Sequence, residues 1–219
     1  MSKTQACGNV CGASGMAVGG AEGGSSSENY LFMQQGFVEN ACGLRPGSEC
    51  FEGLQGEDLG SAAEYREDIV QILSEAYLLD GFGAQDIACL CQFMQCYGLP
   101  RHGRLFREGT TGDWLVFVLT GEVEVIKQDG EGAERVLGRV GPGEVLGEMS
   151  LVDGQRRFAT CSAVRPSDVA VLSRSRMMEL LAVNAGLANK LLWLLLQRLT
   201  ARLRGTTLSL LPHLPIMGT

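Results

Sequence analysis

An arginine that follows a short glycine-led turn is the feature of this sequence with the clearest chemistry. Gly147 permits a tight turn, and Glu148 to Val152 are predicted to form one helical turn whose first N–H groups are available to an anion. Arg157 follows in what the pattern predicts to be an apolar strand. A guanidinium there needs a partner, and a phosphate would supply charge-assisted hydrogen bonds worth roughly 1.5–3 kcal/mol each. Glu148 would accept from a hydroxyl, so the pair suits a ligand that carries both phosphate and ribose.

Composition argues against most other chemistries. The chain has only two histidines, His102 and His213, which makes a histidine-rich metal site or a histidine-centred catalytic triad a poor fit. Cys89, Cys91 and Cys96 lack the second matching pair of a zinc site. We therefore predict no enzyme, no catalytic residues, no bound metal and no resident cofactor. The net charge of −7 also argues against a dedicated nucleic-acid binder.

The elements that must position this arginine follow from hydrophobic periodicity. Residues 62–78 and 84–94 repeat at helical spacing, and from about Arg104 the period becomes two. Ser173 is a predicted N-cap for a helix starting near Arg174. The predicted strands cover residues 114–119, 123–125, 135–140, 160–164 and 168–172, and a final helix covers 184–204. Short strands separated by glycine turns are typical of a sandwich or barrel.

These residues resemble the motif of the cyclic nucleotide-binding domain family, which includes the bacterial catabolite activator and the regulatory subunits of cAMP-dependent protein kinase. The motif reads Gly147-Glu148-Met149-Ser150-Leu151, then Arg157-Phe158-Ala159, then Ala163. Two earlier landmarks match as Gly112-Asp113 and Gly121-Glu122. The resemblance covers about residues 64–204. It implies an α+β fold, a β-roll (double-stranded β-helix or jelly-roll) flanked by N-terminal helices and a long C-terminal helix.

The resemblance also implies roles for the ligand-binding residues. Arg157 would clamp the cyclic phosphate, Glu148 would hold the ribose 2′-hydroxyl, and backbone N–H groups near Met149 and Ser150 would add phosphate contacts. The ligand would be a cyclic purine nucleotide, cAMP or cGMP. The full predicted set is Gly147, Glu148, Met149, Ser150, Arg157, Phe158 and Ala159.

Phe158 departs from the family pattern. The position after the arginine is usually small or hydroxylated in the family, where it faces the ligand. A benzyl group here could stack on a purine, select a different ligand, or block the pocket. The last possibility defines an alternative function: a degenerate, non-binding roll in which Arg157 pairs with a protein acid and the chain acts as an interaction or scaffold module.

The remaining sequence predicts the organisation of the chain. Residues 1–60 are expected to form a flexible Gly/Ser-rich extension, 61–204 the nucleotide-binding domain with its flanking helices, and 205–219 an apolar tail. Asn189 and leucines at spacings of three and four predict a seam for a homodimer through residues 185–203. On that last helix Trp193, Gln197 or Thr200 could cap a base, with packing of Trp193 on the roll or on a dimer partner as the other interpretation.

Function and location follow as expectations. No export signal or bilayer-length apolar run is visible, so we expect a cytoplasmic protein without a membrane span. The resemblance implies a regulatory module that signals through its C-terminal helix to an unknown effector protein or across the homodimer. We expect no direct DNA binding, because no helix-turn-helix follows the roll in this sequence.

Overall fold

The fold is a β-roll with helices before and after it. The computed structural model describes residues 51, 53–75 and 81–210, with side chains described as far as 207. The strands are β1 (Glu57–Ser61), β2 (Gln95–Leu99), β3 (Arg104–Phe106), β4 (Trp114–Val118), β5 (Glu122–Gln128), β6 (Glu134–Val140), β7 (Val145–Leu146), β8 (Thr160–Arg165) and β9 (Ser167–Ser173). The helices are α1 (Arg66–Glu75), α2 (Ala84–Leu90), α3 (Glu148–Asp153), α4 (Arg174–Val183) and α5 (Ala185–Leu210), with 3-10 turns at Ala62–Tyr65 and Cys91–Phe93.

Two antiparallel sheets form the roll. One has the strand order β1-β2-β9-β4-β7 and the other β3-β8-β5-β6. Alternating side chains of β4 therefore enter two different cores. Trp114, Val116 and Val118 point between the sheets. Leu115 and Phe117 pack under the helices instead.

The helices cover the outer face of the five-stranded sheet. The buried stripe of α5 comprises Leu187, Ala188, Leu191, Leu194 and Leu195. The N-cap prediction at Ser173 is confirmed, since its Oγ accepts a hydrogen bond from the Arg176 N–H at 3.2 Å. Among the described residues no helix is long and apolar enough to cross a bilayer. The architecture confirms the predicted α+β roll with flanking helices.

Several predicted boundaries differ from the structure. Residues 95–99 form a strand that the sequence analysis missed, because this short run is buried on both faces and shows no clean alternation. Strand β1 lies mostly inside residues 1–60, which were predicted to form the N-terminal extension. Residues 1–50 and 211–219, on which the flexible extension and most of the apolar tail were predicted, lie outside the described residues.

The C-terminal helix is longer than predicted. The sequence analysis ended it at Arg204, before Gly205, but α5 continues to Leu210. A single glycine inside a helix costs about 1 kcal/mol relative to alanine, which does not suffice to stop it. The hydroxyls of Thr206 and Thr207 donate to the carbonyls of Arg202 and Leu203 at 2.7 and 2.9 Å, so these side chains satisfy their own polar groups within the helix.

Candidate functional site

The glycine-led turn of the predicted motif forms as expected. Gly147 adopts the left-handed conformation (φ +80°) at the N-terminus of α3, where a side chain would be strained. The helix then runs from Glu148 to Asp153 and ends at Gly154, also left-handed. The first N–H groups of such a turn have no intrahelical partners, and they lie beside Arg157, whose Nη1 donates to the Gly147 carbonyl at 3.2 Å.

Arg157 is held by backbone hydrogen bonds outside any strand. Its N–H donates to the Thr110 carbonyl at 2.8 Å, and its own carbonyl accepts from the Gly109 N–H at 2.9 Å. The prediction that Arg157 lies in a strand is wrong, because β8 begins only at Thr160. Backbone hydrogen bonds between two loops, and not the hydrogen bonds of a sheet, therefore set the direction of this side chain.

The Arg157 guanidinium is buried without a counter-ion. The residue is 2% exposed. Within the described residues no carboxylate forms an ion pair with it, and its Nε and Nη2 have no hydrogen-bond partner. Its charge lies 4.2 Å from the centre of the Phe106 ring and 4.4 Å from that of Trp114. Burial lowers the pKa of Arg157 to about 10, partly offset by Cys161, Asp113 and Glu148, so it is cationic at neutral pH.

Two glycines make the space that the guanidinium occupies. A Cβ placed on Gly112 would lie 2.7 Å from Nη2 and 2.8 Å from Nε of Arg157. A Cβ on Gly147 would clash with Nη1 of the same side chain. Real Cβ atoms are not found this close to other heavy atoms. Any side chain at either position would displace the guanidinium.

Glu148 is buried and paired with the C-terminal helix. Its carboxylate is 1% exposed, and Arg202 of α5 donates to it from Nη1 at 2.5 Å. Arg202 also reaches the Val145 carbonyl from Nη2 at 3.4 Å. The acid that was predicted to hold a ribose hydroxyl is thus also the attachment point of the last third of α5. Sequence analysis missed Arg202, and only its basic character gave any signal, because 54 positions separate it from Glu148.

A small cavity joins these residues. It has a volume of about 50 Å³ and is lined by Phe106, Val125, Leu146, Gly147, Glu148, Met149, Ser150, Arg157, Phe158, Ala159, Cys161 and Arg202. All seven predicted site residues are in this lining. The volume matches a few water molecules, or one phosphate-sized group, and not a whole nucleotide. The side chain of Arg202 closes one side of it.

The other predicted residues divide between the inside and the rim of the cavity. Ser150 and Ala159 are buried, whereas Met149 is partly exposed. The Ser150 carbonyl accepts from Nη2 of Arg174 at 3.0 Å, and the backbone N–H of Arg174 donates to the Asp113 carbonyl at 2.7 Å. The start of α4 is therefore tied to both sides of the arginine site, a contact that the sequence analysis did not anticipate.

Phe158 stands at the rim and does not fill the cavity. The residue is 53% exposed. Nζ of Lys127 lies 4.7 Å from the centre of its ring. That ammonium also donates to Oε1 of Glu108 at 2.5 Å, and Oε2 of the same carboxylate accepts from the Gln128 N–H at 3.0 Å. The Gln128 and Lys127 hydrogen bonds hold the pKa of Glu108 below its usual range.

Comparison with known proteins extends this description. The family model described as "Cyclic nucleotide-binding domain" matches residues 98–184. A crystal structure of a cyclic nucleotide-binding domain from Methylobacillus flagellatus is 42% identical, with a TM-score of 0.66, over 74% of this chain and 90% of that one.

Two curated relatives are bacterial regulators. A CRP-like cAMP-activated global transcriptional regulator of Mycobacterium tuberculosis is 27% identical over 129 residues, 59% of this chain and 58% of the relative. The cyclic AMP receptor protein of Thermus thermophilus is 31% identical over 122 residues, 56% of each chain. This chain thus spans somewhat over half the length of these relatives. The match to the Methylobacillus domain covers nearly all of that protein at high identity, and the chain belongs to the cyclic nucleotide-binding domain family.

Proposed function

We propose that this chain is a non-catalytic regulatory module of the cytoplasm that binds a cyclic purine nucleotide, cAMP or cGMP. The proposal rests on one observation above all, the unpaired guanidinium of Arg157. A buried cation with two unsatisfied N–H groups destabilises the ligand-free fold unless an anion arrives. A phosphate that reached Nε and Nη2 would satisfy both groups together, in the two-pronged geometry that suits guanidinium.

Glu148 supplies the second half of the recognition. In a cyclic nucleotide the ribose 2′-hydroxyl lies close to the cyclic phosphate. A carboxylate beside the arginine can accept a hydrogen bond from it, which would distinguish a ribonucleotide from a deoxyribonucleotide. Gly147, Met149 and Ser150 contribute the first N–H groups of α3 in this proposal. Phe158 and Ala159 complete the wall, Ala159 as a small residue that leaves room.

The proposed signal passes through Arg202. In this structure its guanidinium donates a hydrogen bond from Nη1 to Oε1 of Glu148. A ribose hydroxyl that binds the same carboxylate changes what Arg202 can contact, and with it the attachment of α5. A ligand shifts such an equilibrium only if it binds one helix arrangement more tightly than the other. The ion pair between Glu148 and Arg202 therefore gives this chain a means of coupling ligand binding to the position of α5.

The exposed stripe of α5 supports a homodimer through residues 185–203. Leu192, Leu196 and Leu203 are exposed outside the buried stripe of this helix, and Trp193 beside them is exposed as well. Apolar residues at these spacings are typical of a helix-to-helix seam. Leu196→Asp should convert a dimer to a monomer in analytical ultracentrifugation. A wild-type chain that sediments as a monomer at micromolar concentration would contradict the dimer.

Isothermal titration calorimetry tests ligand binding directly. Wild type is titrated with cAMP, cGMP and cyclic di-GMP, alongside Arg157→Lys, which keeps the charge but loses the fork, and Arg156→Met. Arg156 is the matched control, an exposed neighbour whose Nη1 donates to the Gly109 carbonyl. We expect binding to wild type and to the control, and a loss of at least about tenfold in Arg157→Lys. No heat with any of the three ligands would refute the proposal.

The degenerate, non-binding roll is the competing function. It requires Arg157 to be paired with a protein acid and the pocket to be filled by Phe158. In the described residues the guanidinium has no such partner and Phe158 lies at the rim. These contacts favour the binding module.

A further inference from the structure

The cavity at Arg157 accommodates only part of a nucleotide. Its volume of about 50 Å³ suits the phosphate, and Arg202 closes one side. With Arg202 in the position that it has in this structure, the base of a ligand bound there would lie outside the cavity, at its rim. The aromatic residue at that rim is Phe158, which directly follows Arg157 in the sequence.

A cation lies over the ring of Phe158. Nζ of Lys127 lies 4.7 Å from the ring centre and is fixed by Glu108, which in turn is fixed by the Gln128 N–H. The ring quadrupole attracts a cation over the aromatic face, which favours this ring orientation. More than half of the residue nevertheless remains exposed, so part of the ring is open to solvent.

We infer that Phe158, backed by Lys127, is the nucleobase platform of this site: the base stacks on the exposed face of the ring while the phosphate binds Arg157. This inference rests on the proposed function. It assigns the base contact of that site and gives a physical reason for the purine preference, because a purine offers a larger π-face than a pyrimidine. The site would therefore discriminate by stacking between cyclic purine and cyclic pyrimidine nucleotides, in addition to any hydrogen bonds to the base.

The test compares four ligands on a small set of variants. Calorimetry with 3′,5′-cyclic AMP, GMP, CMP and UMP is carried out on wild type, Phe158→Ala, Phe158→Leu and Phe158→Tyr. Leucine keeps an apolar side chain without an aromatic face, and tyrosine keeps the face. Lys127→Met removes the charge behind the ring but keeps the apolar stem.

Stacking predicts a specific pattern. Phe158→Ala and Phe158→Leu should each weaken purine binding by about tenfold or more, which is the scale of one stacked base. They should also reduce the ratio of purine to pyrimidine affinity, and Phe158→Tyr should preserve both. Lys127→Met should weaken purine binding by a smaller factor, about threefold.

Three results would overturn the inference while leaving the proposed function intact. Equal affinity in Phe158→Ala would show that the ring does not contact the base. Full affinity in Phe158→Leu would show that only apolar bulk matters. Tighter binding in Phe158→Ala would show that the ring obstructs the pocket. If wild type binds none of the four nucleotides, the proposed function fails and this inference fails with it.

Discussion

Arg157→Met separates a ligand-binding arginine from a structural one. Burial lowers the pKa of Arg157 from its ordinary value to about 10. At about 1.4 kcal/mol per pKa unit, the charge destabilises the ligand-free fold by about 3 kcal/mol. Methionine removes the charge but keeps a flexible apolar stem against Phe106 and Trp114, with favourable sulfur–aromatic contacts. The variant loses two cation–π contacts worth roughly 0.5–2 kcal/mol each and the hydrogen bond to Gly147.

The balance predicts that the variant is as stable as wild type or more stable by about 1 kcal/mol when no ligand is present. Urea unfolding followed by circular dichroism measures this difference. With cyclic nucleotide at about 100 times its Kd, wild type should gain about 2.7 kcal/mol, and Arg157→Met should gain nothing. Arg156→Met, the exposed neighbour, should stay within about 0.5 kcal/mol of wild type and keep the ligand-induced gain.

The opposite result would refute the reasoning. If Arg157→Met is less stable than wild type by about 2 kcal/mol or more without ligand, the guanidinium is a satisfied structural group. An unchanged response of that variant to nucleotide would be equally damaging, because it would show that the phosphate binds elsewhere.

Three further predictions follow from neighbouring contacts. Gly112→Ala should displace the guanidinium, since its Cβ would lie 2.7 Å from Nη2 of Arg157. Calorimetry should then show a loss of nucleotide binding. The control Gly138→Ala, which has open space around it, should bind as wild type does. Arg202→Gln should release the last third of α5 from Glu148, and hydrogen exchange should rise across residues 199–210; unchanged protection there would contradict the attachment. Because burial lowers the pKa of Arg157 to about 10, affinity for nucleotide should be constant from about pH 7 to 9 and fall by up to about tenfold per unit above about pH 10. A fall that begins near pH 8 would assign the phosphate contact to another group.

The lowered pKa of Arg157 also changes the stability of the ligand-free protein, in the direction opposite to its effect on nucleotide affinity. Above about pH 10 the folded protein releases the Arg157 proton before the unfolded chain does. The unfolded state then binds more protons, so the contribution of this group to the free energy of unfolding rises as the pH increases above about 10. Below about pH 10 its destabilising effect is fully present. Ligand-free stability and ligand affinity should therefore change in opposite directions in alkaline solution.

Local sequence patterns predicted a sandwich or barrel with helices before and after it, and they predicted the short turn beside Arg157. The glycine-led turn at Gly147 and the N-cap at Ser173 depend on contacts within a few residues, and both were predicted correctly. Strand β2 was missed because a short run buried on both faces carries no periodic signal. The continuation of α5 past Gly205 was missed because one glycine is a weak stop signal against an otherwise intact helix.

What the sequence by itself determined is the chemistry available: one guanidinium, one carboxylate and a glycine turn at the spacing of the family motif. Only the tertiary structure decided how each is used. Within the part of the chain that the structure describes, Arg157 has no carboxylate partner, Glu148 pairs with Arg202 across 54 positions, and Phe158 lies at the rim with Lys127 over its ring. The physical reason is that pairing between charges depends on distance through space, and the packing of α5 and of the two sheets sets those distances.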